Sequence, residues 1–359
     1  MRNRHDIRKG RLVATLLGGA WRSSDFPPIH ITQHDLGEVT PLLCSSGVAA
    51  LAWRRLSSTH LHESSSAEVL HQAYRLQSLE LDIQEEQIEK LFRLLRAASV
   101  DAILAKGWAA AGFYTNRDLR PCGDIDICVR PLDFRMAQEV SRRPEARDCL
   151  VDLHKHFTEI SHRSIEEIFA RSIVVQLGPE QIRLLGPEDH LALLCIHFLK
   201  HGAWRPLWLC DIAAALESLP ATFDWDIFLG CVRRRRAWIA CAIGLAHRLL
   251  GARIKHLPLK AEQTEVPAWL IKGVLEQWSS LFPADHLPIQ PAPVMAGNLR
   301  TGRNIIKGVI ERWPDPITAT FNLGGNFNNI PRLPYQLADF TVLTTRYLIH
   351  LPAKLQSAR

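Results

Sequence analysis

The spacing of apolar positions changes twice along the chain, near residues 97 and 187. Before the first change the periodicity is helical. Leu79, Leu81, Ile83, Ile88, Leu91, Leu94 and Leu95 recur at helical spacing within residues 66–98, behind the loop-forming stretch SSTHLHESSS. Between 97 and 186 short apolar runs alternate with helical stretches. DAILAK stops at Gly107, WAAAGFY reads as a small helix, and DIDICVR reads as a strand. PLDFRMAQEVSRR then reads as a helix opened by Pro131, and CLVDLHKHF and SIVVQL as further strands. After Gly186-Pro187 the helical texture returns in PEDHLALLCIHFLKHG, LWLCDIAAALESL, WDIFLGCVRRRRAW and IACAIGLAHRLLG. Residues 282–298 are proline-rich and read as a linker or loop, NIIKGVIERW as a short helix stopped by Pro314, and FNLGGNFNNIPRLPYQ as a loop. The pattern predicts an α+β chain: a helical region over 1–96, a small mixed-sheet core over 97–186 and a helical domain over 187–359.

Composition narrows the class. With 359 residues, 47% hydrophobic and 22% charged, the chain can bury a substantial core without disulfide or metal staples. A net charge of +6 suits an anionic small ligand but is not the concentrated basic stripe of a nucleic-acid binder. The one dense run, RRRR at 233–236, reads as a solvated helix end. The 8 cysteines contain no C-x-x-C pair, and the apolar neighbours of Cys195, Cys210 and Cys241 mark packed thiols in a reducing compartment. No apolar segment reaches membrane-spanning length. The basic and then apolar start superficially resembles a signal peptide, but Asp6 and a glycine pair interrupt it, so it reads as an ordinary first helix of a cytoplasmic protein.

The chemistry is concentrated in LRPCGDIDICVRPLDF, residues 119–134, where Asp124 and Asp126 stand inside an apolar run. Strands disfavour Asp. Alternation puts Ile125, Ile127 and Val129 on one face and Asp124, Asp126 and Cys128 on the other. Adjacent carboxylates repel and are costly to bury unpaired, and a divalent cation relieves that cost. Mg²⁺ is commonly held by one or two carboxylates together with substrate phosphates. In CLVDLHKHF the same alternation sets Asp152 and His154 on one face, so that, if the strands are neighbours, Asp152 completes a three-carboxylate, two-metal site. Upstream, a strand runs into Lys106-Gly107 and a helix begins at once, a junction suited to phosphate.

The order Lys106-Gly107, then RPCGDIDICV, then VDLH resembles the nucleotidyltransferase family of the DNA polymerase beta-like superfamily. More narrowly, it resembles a poorly characterised bacterial branch with a Lys-Gly junction and an Asp-Leu-His strand. LGPEDHLALLCIHFLKHGAWRPLWLCDIAAAL is also similar to that branch, and the resemblance spans roughly residues 90–220. It implies a mixed-sheet core, Mg²⁺ or Mn²⁺ ligation by Asp124, Asp126 and Asp152, and transfer of a nucleoside monophosphate from an NTP, ATP first among them. Genes for peptide natural products often neighbour this branch, which points to a peptide or small-molecule acceptor over RNA. One departure stands out: Trp108 follows Gly107, where the wider superfamily has a phosphate-contacting serine.

Lys106, Gly107, Arg120, His154, Lys200 and His201 are the candidates for binding the nucleotide. His154 reads either as support for the metal cluster, as lining of an acceptor pocket, or as a half-exposed histidine. His197, Lys200 and His201 share a helix face that either points Lys200 at a triphosphate or is ordinary surface. Two histidines at i, i+4 also suit zinc, but no third ligand follows at the usual spacing. Arg120 reads either as a phosphate contact or as the ion-pair partner of Asp118. Asp211, in an apolar helix, needs a partner, for which Arg205 or Lys200 is the candidate. Two other functions fit parts of the pattern: a non-catalytic binding or regulatory protein with a degenerate core, and an Asp-x-Asp glycosyltransferase. The latter class usually builds a βαβ unit ahead of its motif, whereas here a single candidate strand precedes it.

Overall fold

The computed structural model describes residues 7–255, 257–281 and 313–356. Helices α1 (Ile7–Leu17), α2 (Gln33–Ser45) and α3 (Ala49–Leu56) lead into the long α4 (Ser65–Ala97). Thr32 opens α2 through a capping box with Asp35, and Ser64 caps α4 by accepting from the Ala67 amide, at the end of the serine-rich loop. Along α4, Leu81, Ile88, Leu91 and Leu95 are buried. Leu79 and Ile83, which share the helical spacing, face solvent with 61% and 56% exposure.

The sheet comprises β1 (Ala102–Ala105), β2 (Ile125–Val129), β3 (Val151–His154), β4 (Ile173–Leu177) and β5 (Glu180–Leu184), in the order β3-β2-β1-β5-β4. Pairing is antiparallel for β1–β2 and β4–β5 and parallel for β2–β3 and β1–β5, so the sheet is mixed and its first two strands form no parallel βαβ unit. β5 had no clear apolar run to announce it. Its sequence, EQIRL, is half polar, yet Ile182 and Leu184 alternate inward.

Helices α5 (Gly107–Ala111), α6 (Phe134–Ser141) and α7 (Ile165–Arg171) fill the crossovers. One sheet face carries Ile125, Ile127 and Val129, packed with α4, α6 and Trp108 of α5. The other face carries Ile103, Ala105 and Cys128 into a larger core. That core joins α1, α2 and α3 to α8 (Pro187–Lys200), α9 (Pro206–Glu217), α10 (Trp225–Leu229), α11 (Arg233–Leu250) and α12 (Ala268–Trp278). The helices before and after the sheet in sequence therefore share one hydrophobic core. Cys195, Cys210 and Cys241 are buried in this half, as their neighbours implied.

The expected helix over WDIFLGCVRRRRAW is instead broken at Gly230, whose φ of 63° turns the chain between α10 and α11. The arginine run therefore begins a helix, the end where the dipole disfavours cations. Arg234 and Arg236 reach outward to the carbonyls of Gly324 and Gly230, whereas Arg235 is half-buried and donates to the carbonyl of buried Glu159, so the run is not solvated throughout. Helices α13 (Pro316–Asn322) and α14 (Leu333–Gln356) follow. The glycine- and asparagine-rich stretch supplies the loop between them. The linker expected at 282–298 lies outside the described residues, as does the expected helix at 304–313 but for Trp313. Among the described residues, no helix is long and apolar enough to cross a membrane.

Close approach of α1 to α12 depends on Gly10, where an added Cβ would run into the carbonyl of Leu275. Gly10→Ala should lower stability by about 1–3 kcal/mol in urea unfolding. Gly18→Ala, whose Cβ would meet its nearest neighbour at 3.6 Å, should not show this loss. Equal midpoints for the two variants would contradict the packing described.

Candidate active site

Strand register brings the site together. In the parallel β2–β3 pair Asp126 stands directly opposite Asp152, and in the antiparallel β1–β2 pair it stands opposite Ala105. The residue after Ala105 therefore arrives beside Asp126: Lys106 Nζ lies 2.6 Å from Asp126 Oδ1. His154 Nε2 lies 3.2 Å from Asp126 Oδ1 and 3.1 Å from Asp152 Oδ2. Donor atoms of Asp126, Asp152 and His154 all fall within 4.8 Å of one another. They face a cavity of about 440 Å³ whose walls also include Gly107, Arg120, Asp124, Lys200 and His201. Asp124 precedes β2 and is exposed at this cavity, but it is not one of the three clustered donors.

Asp126 is 4% exposed. Burial pushes its carboxyl up, but hydrogen bonds and charge from His154 and Lys106 outweigh this, so it ionises below the ordinary range.

The Lys106-Gly107 turn is conformationally unusual. Lys106 has φ 51° and ψ −140°, and Gly107 has φ 25°. A non-glycine residue in this region is strained unless its surroundings hold it there. His190 does so: the Lys106 amide donates to its Nε2 at 3.2 Å. Burial drives His190 down to about 4, so the ring is neutral and able to accept. At Gly107 an added Cβ would lie 3.3 Å from the carbonyl of Asp124, so the glycine lets the turn close against the aspartate strand. Trp108 does not line the cavity. It is buried on the α4 side, where its indole N–H donates to Glu85 at 2.6 Å and Arg117 stacks 4.3 Å from the ring. Gln84 donates to the Gly123 carbonyl at 2.9 Å, tying the entrance of β2 to the same helix.

The remaining walls come from the helical half. The partner of buried Asp211 is Arg120, rather than Arg205 or Lys200, with contacts of 3.0 and 3.2 Å, and Tyr114 adds a hydroxyl at 2.6 Å. Arg120 thus lies at the cavity with its guanidinium held by Asp211, and Asp118 is bound by Ser78 instead. Arg205 donates to the Ser46 carbonyl. On α8, Lys200 Nζ lies 2.9 Å from Glu159 Oε1 and 2.8 Å from Thr158 Oγ1. His197 Nδ1 lies 3.4 Å from the same Glu159 oxygen. Burial pushes Glu159 up, but His197 and Lys200 overcome this and hold it well below the carboxylate range.

Glu159, Tyr114 and Trp208 are not singled out as site residues in the sequence, and His190 is not assigned to this site. Glu159 lies in HFTEIS, outside any periodic run, and His190 resembles one more helix residue. In the sequence His190 stands out only by its spacing from Arg183, which suits an Arg-x(4–6)-His nuclease pair, and Gly186-Pro187 breaks any helix that would carry such a pair.

Residues 32–251 match the model of a family described as uncharacterised nucleotidyltransferases, and the chain belongs to that family. The match takes in α2 to α11, the whole sheet and every wall of the cavity. No curated protein and no solved structure matches the chain. Membership makes the protein a nucleotidyltransferase, for which an NTP is the implied donor substrate.

Because Asp126 ionises below the ordinary carboxylate value, its charged form favours the fold. That contribution is complete above about pH 4 and is lost as pH falls through the depressed folded value. Chemical unfolding of the protein should therefore show a loss of stability below about pH 4 that is shallower in Asp126→Asn. Parallel acid limbs in the two proteins would count against the Lys106–His154 cradle.

Proposed function

We propose that this nucleotidyltransferase moves a nucleoside monophosphate from an NTP, with ATP the first donor to test, to a small-molecule or peptide acceptor. Asp126 and Asp152 would hold a divalent cation, Mg²⁺ or Mn²⁺, with Asp124 completing the ligand set from the cavity mouth. The observation that carries this reading is the Asp126–Asp152 register pair facing a polar cavity, with a lysine ammonium already seated on Asp126. The donor set fits the ion: hard carboxylate oxygens beside one imidazole, clustered within 4.8 Å. Bound there, the cation would supply charge neutralisation for the triphosphate and acidify an attacking hydroxyl.

The protein's own groups have separable tasks. Lys106 exchanges its contact with Asp126 for a phosphate oxygen, so one ammonium serves the empty and the loaded site. Gly107 keeps the turn close to Asp124. His154, between two carboxylates, orients both. Lys200 and His201 face the triphosphate or acceptor from α8, while Arg120, fastened to Asp211, presents positive charge from the wall. Phosphate contact in this reading falls to Lys106 and backbone amides, since Trp108 is occupied with packing. The 8 cysteines, free among the described residues, suit a reducing, cytoplasmic setting.

Incubation with each α-labelled NTP and Mg²⁺, in the presence of small-molecule and peptide fractions, should give a nucleotide-monophosphate adduct by mass spectrometry. Asp126→Asn and Asp152→Asn should give none. Mg²⁺-ATP at roughly a hundredfold excess over its Kd should stabilise the native protein by about 2.7 kcal/mol, and Asp126→Asn and Gly107→Val should lose most of that gain. Adduct formation that survives Asp126→Asn, or an undiminished thermal shift in that variant, would refute the proposal.

A further inference from the structure

The cavity carries a second group of metal-ligating side chains, chemically unlike the aspartate pair. His197 and His201 lie one turn apart at the end of α8, with ring centroids 4.4 Å from each other. The turn at Thr158–Ile160 packs against this helix and delivers Glu159 to them. One donor atom from each of Glu159, His197 and His201 falls within 4.8 Å of the others. The i, i+4 histidine pair, which lacked a third ligand when read along the chain, acquires one from nearly forty residues upstream.

We infer that Glu159, His197 and His201 form a second metal site, for a zinc-class ion, separate from the Asp126–Asp152 cluster. The spacing suits the ion better than it suits a hydrogen bond. His197 Nδ1 and Glu159 Oε1 are 3.4 Å apart, long for N–H···O. Metal–ligand bonds of about 2.0–2.1 Å set neighbouring ligands of a tetrahedron about 3.3 Å apart. Two imidazoles and one carboxylate select zinc or cobalt over magnesium. Three protein ligands leave a fourth position, and since all three residues line the cavity it opens to water or to an anionic oxygen of whatever occupies the cavity.

The surroundings orient the ligands. Thr158 Oγ1 donates to the second Glu159 oxygen at 3.2 Å, and the edge of His197 meets Trp208 with centroids 4.6 Å apart. Lys200 occupies the position of counter-cation, 2.9 Å from Glu159, as Lys106 does on Asp126. Binding of the ion would release this ammonium from Glu159 while Thr158 continues to hold it. Lys200 therefore competes with the metal, and its removal should tighten binding.

The inference is independent of the transfer reaction and is tested with Co²⁺ alone on the metal-stripped full-length protein. Four-coordinate Co²⁺ absorbs strongly in the visible, whereas six-coordinate Co²⁺ at a carboxylate site absorbs weakly. The wild type and the Asp126→Asn/Asp152→Asn variant should both develop the strong band, and Zn²⁺ should abolish it in both. His201→Ala, at an exposed position where folding is not at risk, should lose the band, and Lys200→Met should bind Co²⁺ more tightly than the wild type. No strong band in the wild type, or an undiminished band in His201→Ala, would overturn the inference. So would weaker Co²⁺ binding by Lys200→Met.

Discussion

The ion pair between Lys106 and Asp126 is the contact on which the rest of the site depends. Asp126 projects from the middle of a sheet that is covered on both faces, where an uncompensated carboxylate would cost several kcal/mol. Its partner comes from the adjacent strand one residue past the last pairing, so the β1–β2 register and the ion pair enforce each other. The strained backbone of Lys106 is held by the neutral ring of His190, and the glycine after it lets the turn close on Asp124. Trp108 then anchors the short α5 to α4. A change at any of these supports would be felt at a carboxylate that none of them except Lys106 touches.

Four carboxylates at and behind the cavity wall each have a cation or donor assigned. Lys106 serves Asp126, Lys200 serves Glu159, His154 bridges Asp126 and Asp152, and Arg120 is bound to Asp211 behind the wall. Such a site is stable without its ligands, yet its lysines are the residues best able to change partners, since an ammonium has no fixed geometry to satisfy. In the function proposed here, a polyanion accompanied by divalent cations would replace one set of charge pairs with another. The guanidinium of Arg120 contrasts with the lysines. It grips Asp211 through two nitrogens and receives no freedom from its setting, so it contributes field and rigidity rather than motion.

Much of the sheet was legible because strands have a period of two. Alternation in DIDICV placed Ile125, Ile127 and Val129 together, and they do pack on one face. The same rule in VDLH gave Asp152 and His154, which stand opposite Asp126 and Cys128. Local signals failed where a partner is remote in sequence. Glu159 lies in an aperiodic turn and acquires meaning only when the turn meets α8. Arg120 and Asp211 are 91 residues apart, and nothing local distinguishes that pairing from Arg205 or Lys200. The departure at Trp108 was visible, but not its direction: the side chain turns away from the cavity to fill the space beneath α4. The exposure of Leu79 and Ile83 shows the converse, apolar spacing along a helix that exceeds the face its neighbours cover.

The central claim is that the lysine on Asp126 holds the place of a cation and moves to phosphate when the cation arrives. A crystal structure with Mg²⁺ and an NTP analogue whose α,β-bridge cannot be cleaved tests it directly. The expected result has Asp126 and Asp152 ligating Mg²⁺, and Lys106 Nζ transferred from Asp126 to a phosphate oxygen. Lys106 still paired with Asp126, with the nucleotide bound away from both aspartates, would contradict it.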